Sequence, residues 1–136
     1  MNREIICKGK RKDNEEWIEG AALQSESETY IVTSFLVGEK DEPLTVAAYE
    51  IDSETLCQWT GKKDKNGKEI WENDIVRWRY RRCWEEPYHL SKVVWDNFHS
   101  AWKLTMPGSL AKMRDDMEYE VVLNGFDSHK LFEESI

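Results

Sequence analysis

The chain has 136 residues, with 19 basic and 27 acidic side chains, so its formal charge is −8. Hydrophobic residues make up 40% and charged residues 34%, with only 7 Gly and 3 Pro, which excludes collagen-like, low-complexity and largely disordered classes. The length predicts a single domain, residues 1–136, with one modest core.

No apolar run approaches the roughly 18 residues that a membrane span requires. The opening Met1 to Lys8 lacks the apolar stretch of a secretory signal, which predicts a cytoplasmic protein with Cys7, Cys57 and Cys83 as reduced thiols. Their wide spacing, without a Cys-x-x-Cys pair, encodes neither a disulfide framework nor a zinc ribbon.

In chain order the pattern predicts mainly β-structure. A first strand, about Glu4 to Gly9, leads into a polar turn over Lys10 to Glu15. Tyr30 to Val37 is a dense run of β-branched and aromatic residues, flanked by weaker strand candidates at Trp17 to Leu23 and Leu44 to Tyr49. Gly38 to Pro43 reads as a charged loop. A seam near Ile51-Asp52-Ser53 separates an N-terminal β-meander, residues 1–52, from a hairpin-rich half, residues 53–136.

In that second half Asn66-Gly67 predicts a type I′ hairpin turn, with positive φ at both residues. Asp74 to Arg81 then alternates: Val76, Trp78 and Tyr80 share one face, Arg77, Arg79 and Arg81 the other. Lys92 to Trp95 and Ser100 to Leu104 form a hairpin around Asp96 to His99, and a final strand runs from about Glu118 to Asn124. Two short helices are expected, Leu110 to Met117 capped by Ser109, and a last turn through Phe132 capped by Asp127 or Ser128.

Enzyme signatures are missing: no Gly-x-Gly-x-x-Gly, phosphate loop, Gly-x-Ser-x-Gly or His-Glu-x-x-His occurs. Of the three histidines, His89, His99 and His129, the first two could approach Cys83 to make a thiol–imidazole pair or metal site, but nothing supplies an orienting third group, and the plainer reading is ordinary strand-end and turn residues. Glu85-Glu86 and Asp115-Asp116 are adjacent rather than facing, which fits solvated surface and not acid–base chemistry. The sequence therefore calls for no cofactor, no metal and no catalytic group.

Residues 59–82 hold eight basic and four acidic side chains in an otherwise acidic chain. Arg77, Arg79 and Arg81 could contact a polyanion such as nucleic acid. The alternation turns Trp78 and Tyr80 away from them, so the plainer reading is an edge or half-exposed strand protected by positive charge. Of the 7 Trp, those at 59, 71, 78, 84, 95 and 102 cluster in the second half, as core fillers or as a binding or oligomer surface. The aromatic excess predicts a homo-oligomer, which light scattering giving about 16 kDa at every concentration would refute.

The stretch Glu54 to Val76 (Glu-Thr-Leu-Cys-Gln-Trp-Thr-Gly-Lys-Lys-Asp-Lys-Asn-Gly-Lys-Glu-Ile-Trp-Glu-Asn-Asp-Ile-Val) resembles the signature of the YopX family, small proteins of phages, prophages and mobile elements. That signature reads approximately Thr-Val-x-Gln-Tyr-Thr-Gly-Leu-x-Asp-Lys-Asn-Gly-x-x-Ile-Tyr-Glu-Gly-Asp-Ile-Val. Arg3-Glu4-Ile5, Lys8-Gly9-Lys10-Arg11 and Trp17-Ile18-x-Gly20 are similar to its first hairpin. Val93-Val94-Trp95-Asp96 and Glu120-Val121 through Asn124-Gly125-Phe126 are similar to its later strands and tail. Trp59 and Trp71 replace Tyr or Phe, and Asn73 replaces a Gly, a change that still permits a left-handed turn.

The resemblance implies an accessory protein of unknown function, not a known enzyme. The motif residues Gln58, Thr60, Gly61, Asp64, Asn66, Gly67, Glu72 and Asp74 are read as turn formers. The expected fold is mainly β, with a strongly bent, SH3-like sheet or barrel over about residues 54–124 and the N-terminal meander packed on it. The expected function is a non-enzymatic binding or interaction module with a protein partner. A nucleic-acid regulator using the arginine strand is the alternative.

Overall fold

The computed structural model describes residues 5–36, 38–40, 45–82 and 85–124, of which 35, 36 and 45 by backbone alone. Eleven strands account for most of them: β1 (Cys7–Lys10), β2 (Trp17–Gln24), β3 (Thr29–Leu36), β4 (Thr45–Ile51), β5 (Cys57–Lys63), β6 (Glu69–Trp71), β7 (Ile75–Tyr80), β8 (His89–Asp96), β9 (Ala101–Met106), β10 (Ser109–Lys112) and β11 (Met117–Leu123). A short 3-10 turn, Ser53–Thr55, is the helical element among the described residues, and no helix there is long and apolar enough to cross a membrane. The strands form two antiparallel sheets, ordered β4-β3-β2-β1-β5-β6 and β10-β9-β8-β7-β11. Both orders are open-ended, so among the described residues neither sheet closes into a barrel. The chain divides into two compact units, residues 1–58 and 59–136.

The first unit is a meander in which β1 to β4 pair with their sequence neighbours, and β1 also pairs with Cys57 and Gln58. Its core is Cys7, Ile31 and Ile51, with Ile18, Ala22 and Leu56 packed against them. The packing is close enough that a Cβ on Gly9 would stand 2.2 Å from Ile51 Cδ1. The 3-10 turn is tied down by Thr55, whose hydroxyl donates to Asp52 O at 2.6 Å and accepts from Lys10 N at 2.8 Å.

The second unit is built on β7. Val76 and Trp78 point inward with Ile70, Val93, Leu104, Met113, Met117 and Tyr119, whereas Arg77 is exposed, as the alternation predicts. The Trp78 indole N–H donates to Ser91 Oγ at 2.9 Å, and that hydroxyl donates to Thr105 O at 2.7 Å, so these two buried polar groups are satisfied. Trp71 and Trp78 are buried, while Trp17, Trp59, Trp95 and Trp102 are half-buried.

Three expectations change. Of the two alternatives for the strand carrying the arginines, it is the half-exposed one and not an edge, because β11 pairs along it and places Glu118 opposite Arg79 and Glu120 opposite Arg77. The helix expected over 110–117 is instead β10 and its exit: Gly108, at φ +74°, turns the chain back and Ser109 pairs with Met106. Local helix propensity yields there to the alternation of Ala111 and Met113 inward with Leu110 and Lys112 outward. The turn at Asn66-Gly67 is not type I′, since Gly67 has φ +81° but Asn66 is not left-handed. It is a three-residue loop closed by Gly67 N to Asp64 O at 3.0 Å and Asp64 N to Lys68 O at 2.7 Å. The expected last helix, Cys83, Trp84, His129 and residues 41–43 of the expected loop lie outside the described residues.

Candidate functional site

The motif residues build a frame. Thr60 Oγ1 donates to Ile70 O at 2.7 Å and accepts from Lys62 N at 3.1 Å, and Gly61 follows with φ +80°. The pairing of β5 with β6 shifts register between Trp59 and Lys63, so this is a bulge, a device that re-aims neighbouring side chains. Asp64, 7% exposed, accepts from Asn66 N and Lys68 N at 2.9 Å each with one oxygen and from Val121 N at 3.0 Å with the other. Asp74 is buried and accepts from Trp71 N at 2.8 Å, after Asn73 at φ +70°. Gln58 and Glu72 are half-buried beside these turns.

The arginine face is an ion-pair network. Arg77 donates to Glu120, Lys65 Nζ lies 3.3 Å from Glu120 and 3.5 Å from Glu118, and Arg79 Nε lies 3.9 Å from Glu118. The Tyr88 ring packs on both guanidiniums, 4.7 Å from Arg77 and 4.2 Å from Arg79, and its hydroxyl reaches Glu118 at 3.2 Å. The hydrogen bond from Arg77, and then that from Lys65, lowers the Glu120 carboxyl below its ordinary value. Bonding to Glu120 raises Arg77 and Lys65 in turn.

Arg81 belongs to different surroundings. It lies past the end of β7 at the rim of a cavity of about 430 Å³, with Gly61, Lys62 and Lys63 on one side and Arg114 and Asp115 on another. Met117 and Tyr119 line the same cavity. The loop carrying Arg114 is fixed at two points: the Tyr119 hydroxyl accepts from Arg114 N at 2.8 Å and donates to Arg114 O at 2.9 Å, and Arg81 N donates to Asp116 O at 2.8 Å. Burial pushes the Tyr119 phenol up to about 12, so it stays protonated in this role. Lys62 is 4.0 Å from the fully exposed Asp115 carboxylate, and Arg114 is 3.2 Å from Asp116. Lys63 and Arg81 have no carboxylate partner among the described residues.

Of the residues named from the sequence, Arg81, Gly61 and Asp115 line this cavity, and Thr60 helps to set the backbone of its lysines. Lys62 and Lys63 were legible only as part of a polar run, and Arg114 carried no local signal because it fell inside the expected helix. The histidines are engaged elsewhere: His89 stacks on Trp78 with centroids 4.6 Å apart, and His99 bonds Asp96 at 2.6 Å. Lys103, 2.7 Å from Asp96, and His99 together hold that carboxyl well below the usual range. Glu85, Glu86, Asp115 and Asp116 are exposed. Among the described residues no cluster of three His, Cys, Asp or Glu side chains is placed to hold a metal.

These features define a small antiparallel β protein with a cationic pocket. The YopX protein family model matches residues 8–131, so the chain belongs to that family. No curated protein and no solved structure matches it significantly.

Proposed function

We propose that this protein is a non-enzymatic binding module of a phage or other mobile element, and that its cationic pocket receives an anionic group of a small ligand inside the host cell. The observation that carries this reading is the gathering of Lys62, Lys63, Arg81 and Arg114 around one cavity in a chain of net charge −8. A local excess of one sign in a concave site concentrates counter-ions of the other. Nucleic acid is less favoured, because Arg77 and Arg79 are held by Glu120 and Glu118 and no longer offer free charge to a phosphate backbone. An SH3-like arrangement of β7 to β11 is part of the proposal, supported by five short antiparallel strands and the register shift near the end of β11.

A thermal-shift panel with tripolyphosphate, citrate and a single-stranded DNA oligonucleotide tests it. Ligand binding to the folded state raises the unfolding temperature. At least one small anion should do so in the wild type, and not in a variant with all four cations changed to Gln. A shift with DNA alone would favour the nucleic-acid reading, and no shift with any anion would end the proposal.

A further inference from the structure

Resting on the reading above, we infer that the pocket is a site for phosphoryl groups, taking the diphosphate or phosphomonoester end of a compact organic ligand. Four cations face Asp115 in the lining, and with Arg114 also paired to Asp116 outside it an excess of two positive charges remains, suited to a ligand bearing two negative charges. Lys63 and Arg81 have no carboxylate partner among the described residues. The ion pair of Lys62 with the fully exposed Asp115 is long, at 4.0 Å, so a ligand oxygen can replace it at little cost. Two guanidiniums supply planar forks and two ammoniums supply point charges, a mixture that matches the several oxygens of a phosphoryl group.

The frame is set before any ligand arrives. The bulge at Gly61 and the bond from Lys62 N to Thr60 set the backbone from which the lysines project, and Tyr119 and Arg81 N fix the backbone of the Arg114 loop. Preorganisation of this kind lowers the ordering cost of binding. A Cβ at Gly61 would meet nothing within 4 Å, so the β5 side of the cavity is open to an approaching group. The volume, about 430 Å³, lies in the range of small-molecule sites, and the surface it offers is mainly polar, with Met117 and Tyr119 largely buried behind it. A polynucleotide would need the basic track to continue along β7, where the next arginines are already paired.

Calorimetric titration of the full chain with pyrophosphate, citrate and adenosine diphosphate, at constant ionic strength and without divalent metal, tests the assignment. Pyrophosphate should bind at least tenfold more tightly than citrate. R81Q should weaken pyrophosphate about tenfold with an unchanged unfolding temperature, and R77Q, on the same strand but outside the pocket, should leave the affinity as it was. Binding of adenosine diphosphate at least as tight as that of pyrophosphate would support an organic ligand carrying the phosphoryl groups, and loss of binding on adding the nucleoside would overturn the organic part of the assignment. Equal affinity for citrate and pyrophosphate would overturn the phosphoryl assignment while leaving the anion-binding reading standing. Equal losses in R81Q and R77Q would overturn the location, and binding of none of the three would remove both readings.

Discussion

Asp64 and Val121, 57 residues apart in sequence, are joined by a 3.0 Å hydrogen bond from the Val121 backbone N–H to the Asp64 carboxylate. The same carboxylate closes its own hairpin through Asn66 N and Lys68 N, so one buried side chain ties the β5–β6 turn to β11.

Asp64→Ala should therefore leave three backbone donors to find new acceptors. Hydrogen bonds to a charged acceptor contribute roughly 1.5–3 kcal/mol each, and water will replace part of them, so we expect a loss of about 3 kcal/mol in urea unfolding. Asp64→Asn, which keeps one carbonyl oxygen, should lose less. A loss below about 0.5 kcal/mol for the alanine variant would mean that the turn and β11 are held by other contacts.

Gly9 and Ile51 make a second pair. The added Cβ of Gly9→Ala would collide with Ile51 Cδ1, the far end of a side chain, and approach Ile51 Cβ and Cγ1 at 3.3 Å. Overpacking of this kind costs about 1–3 kcal/mol. Ile51→Val removes the offending methyl, so the double variant should be more stable than the sum of the two single losses, by a coupling of about 1 kcal/mol in a double-mutant cycle. Strict additivity would show that the two residues are not in contact.

The network around Glu120 sets a pH dependence. Its folded-state carboxyl titrates below the ordinary value of 4.5, because Arg77 and Lys65 favour the charged form. The stabilisation is complete above the unfolded value and is lost as pH falls through the folded one. Urea unfolding at pH 7 should show Glu120→Gln less stable than wild type, with the gap closing below about pH 4. High salt should narrow it as well, since the pairs are solvent-accessible. A gap that is the same at pH 7 and pH 3 would remove electrostatics as its cause.

The candidate site was legible only in pieces. Arg81 and the Thr60-Gly61 turn stood out locally, but what brings Lys62 and Lys63 near Arg114 is long-range: the turn after β5 is bonded to β11 through Lys65 N to Tyr119 O and Val121 N to Asp64, and Arg81 N, past the end of β7, is bonded to Asp116 O. Nothing within a few residues of Arg114 marks it, since its place depends on the Tyr119 hydroxyl that holds its backbone from within β11.

The strands themselves follow from local chemistry. Period-two alternation in Val76-Arg77-Trp78-Arg79-Tyr80 settles which side of β7 is buried, and Asn73 and Gly67 turn the chain because their backbones tolerate positive φ. Whether the arginines guard an edge or join a network was decided by the tertiary structure, because it depends on which distant strand supplies the facing residues. Around Ser109 to Met117, too, helix and strand were close in local preference, and pairing with β9 settled the matter through backbone hydrogen bonds and burial of Met113. Side-chain periodicity and turn chemistry act over a few residues, whereas strand order, charge pairing and cavities arise only when segments far apart in the chain exclude water between them.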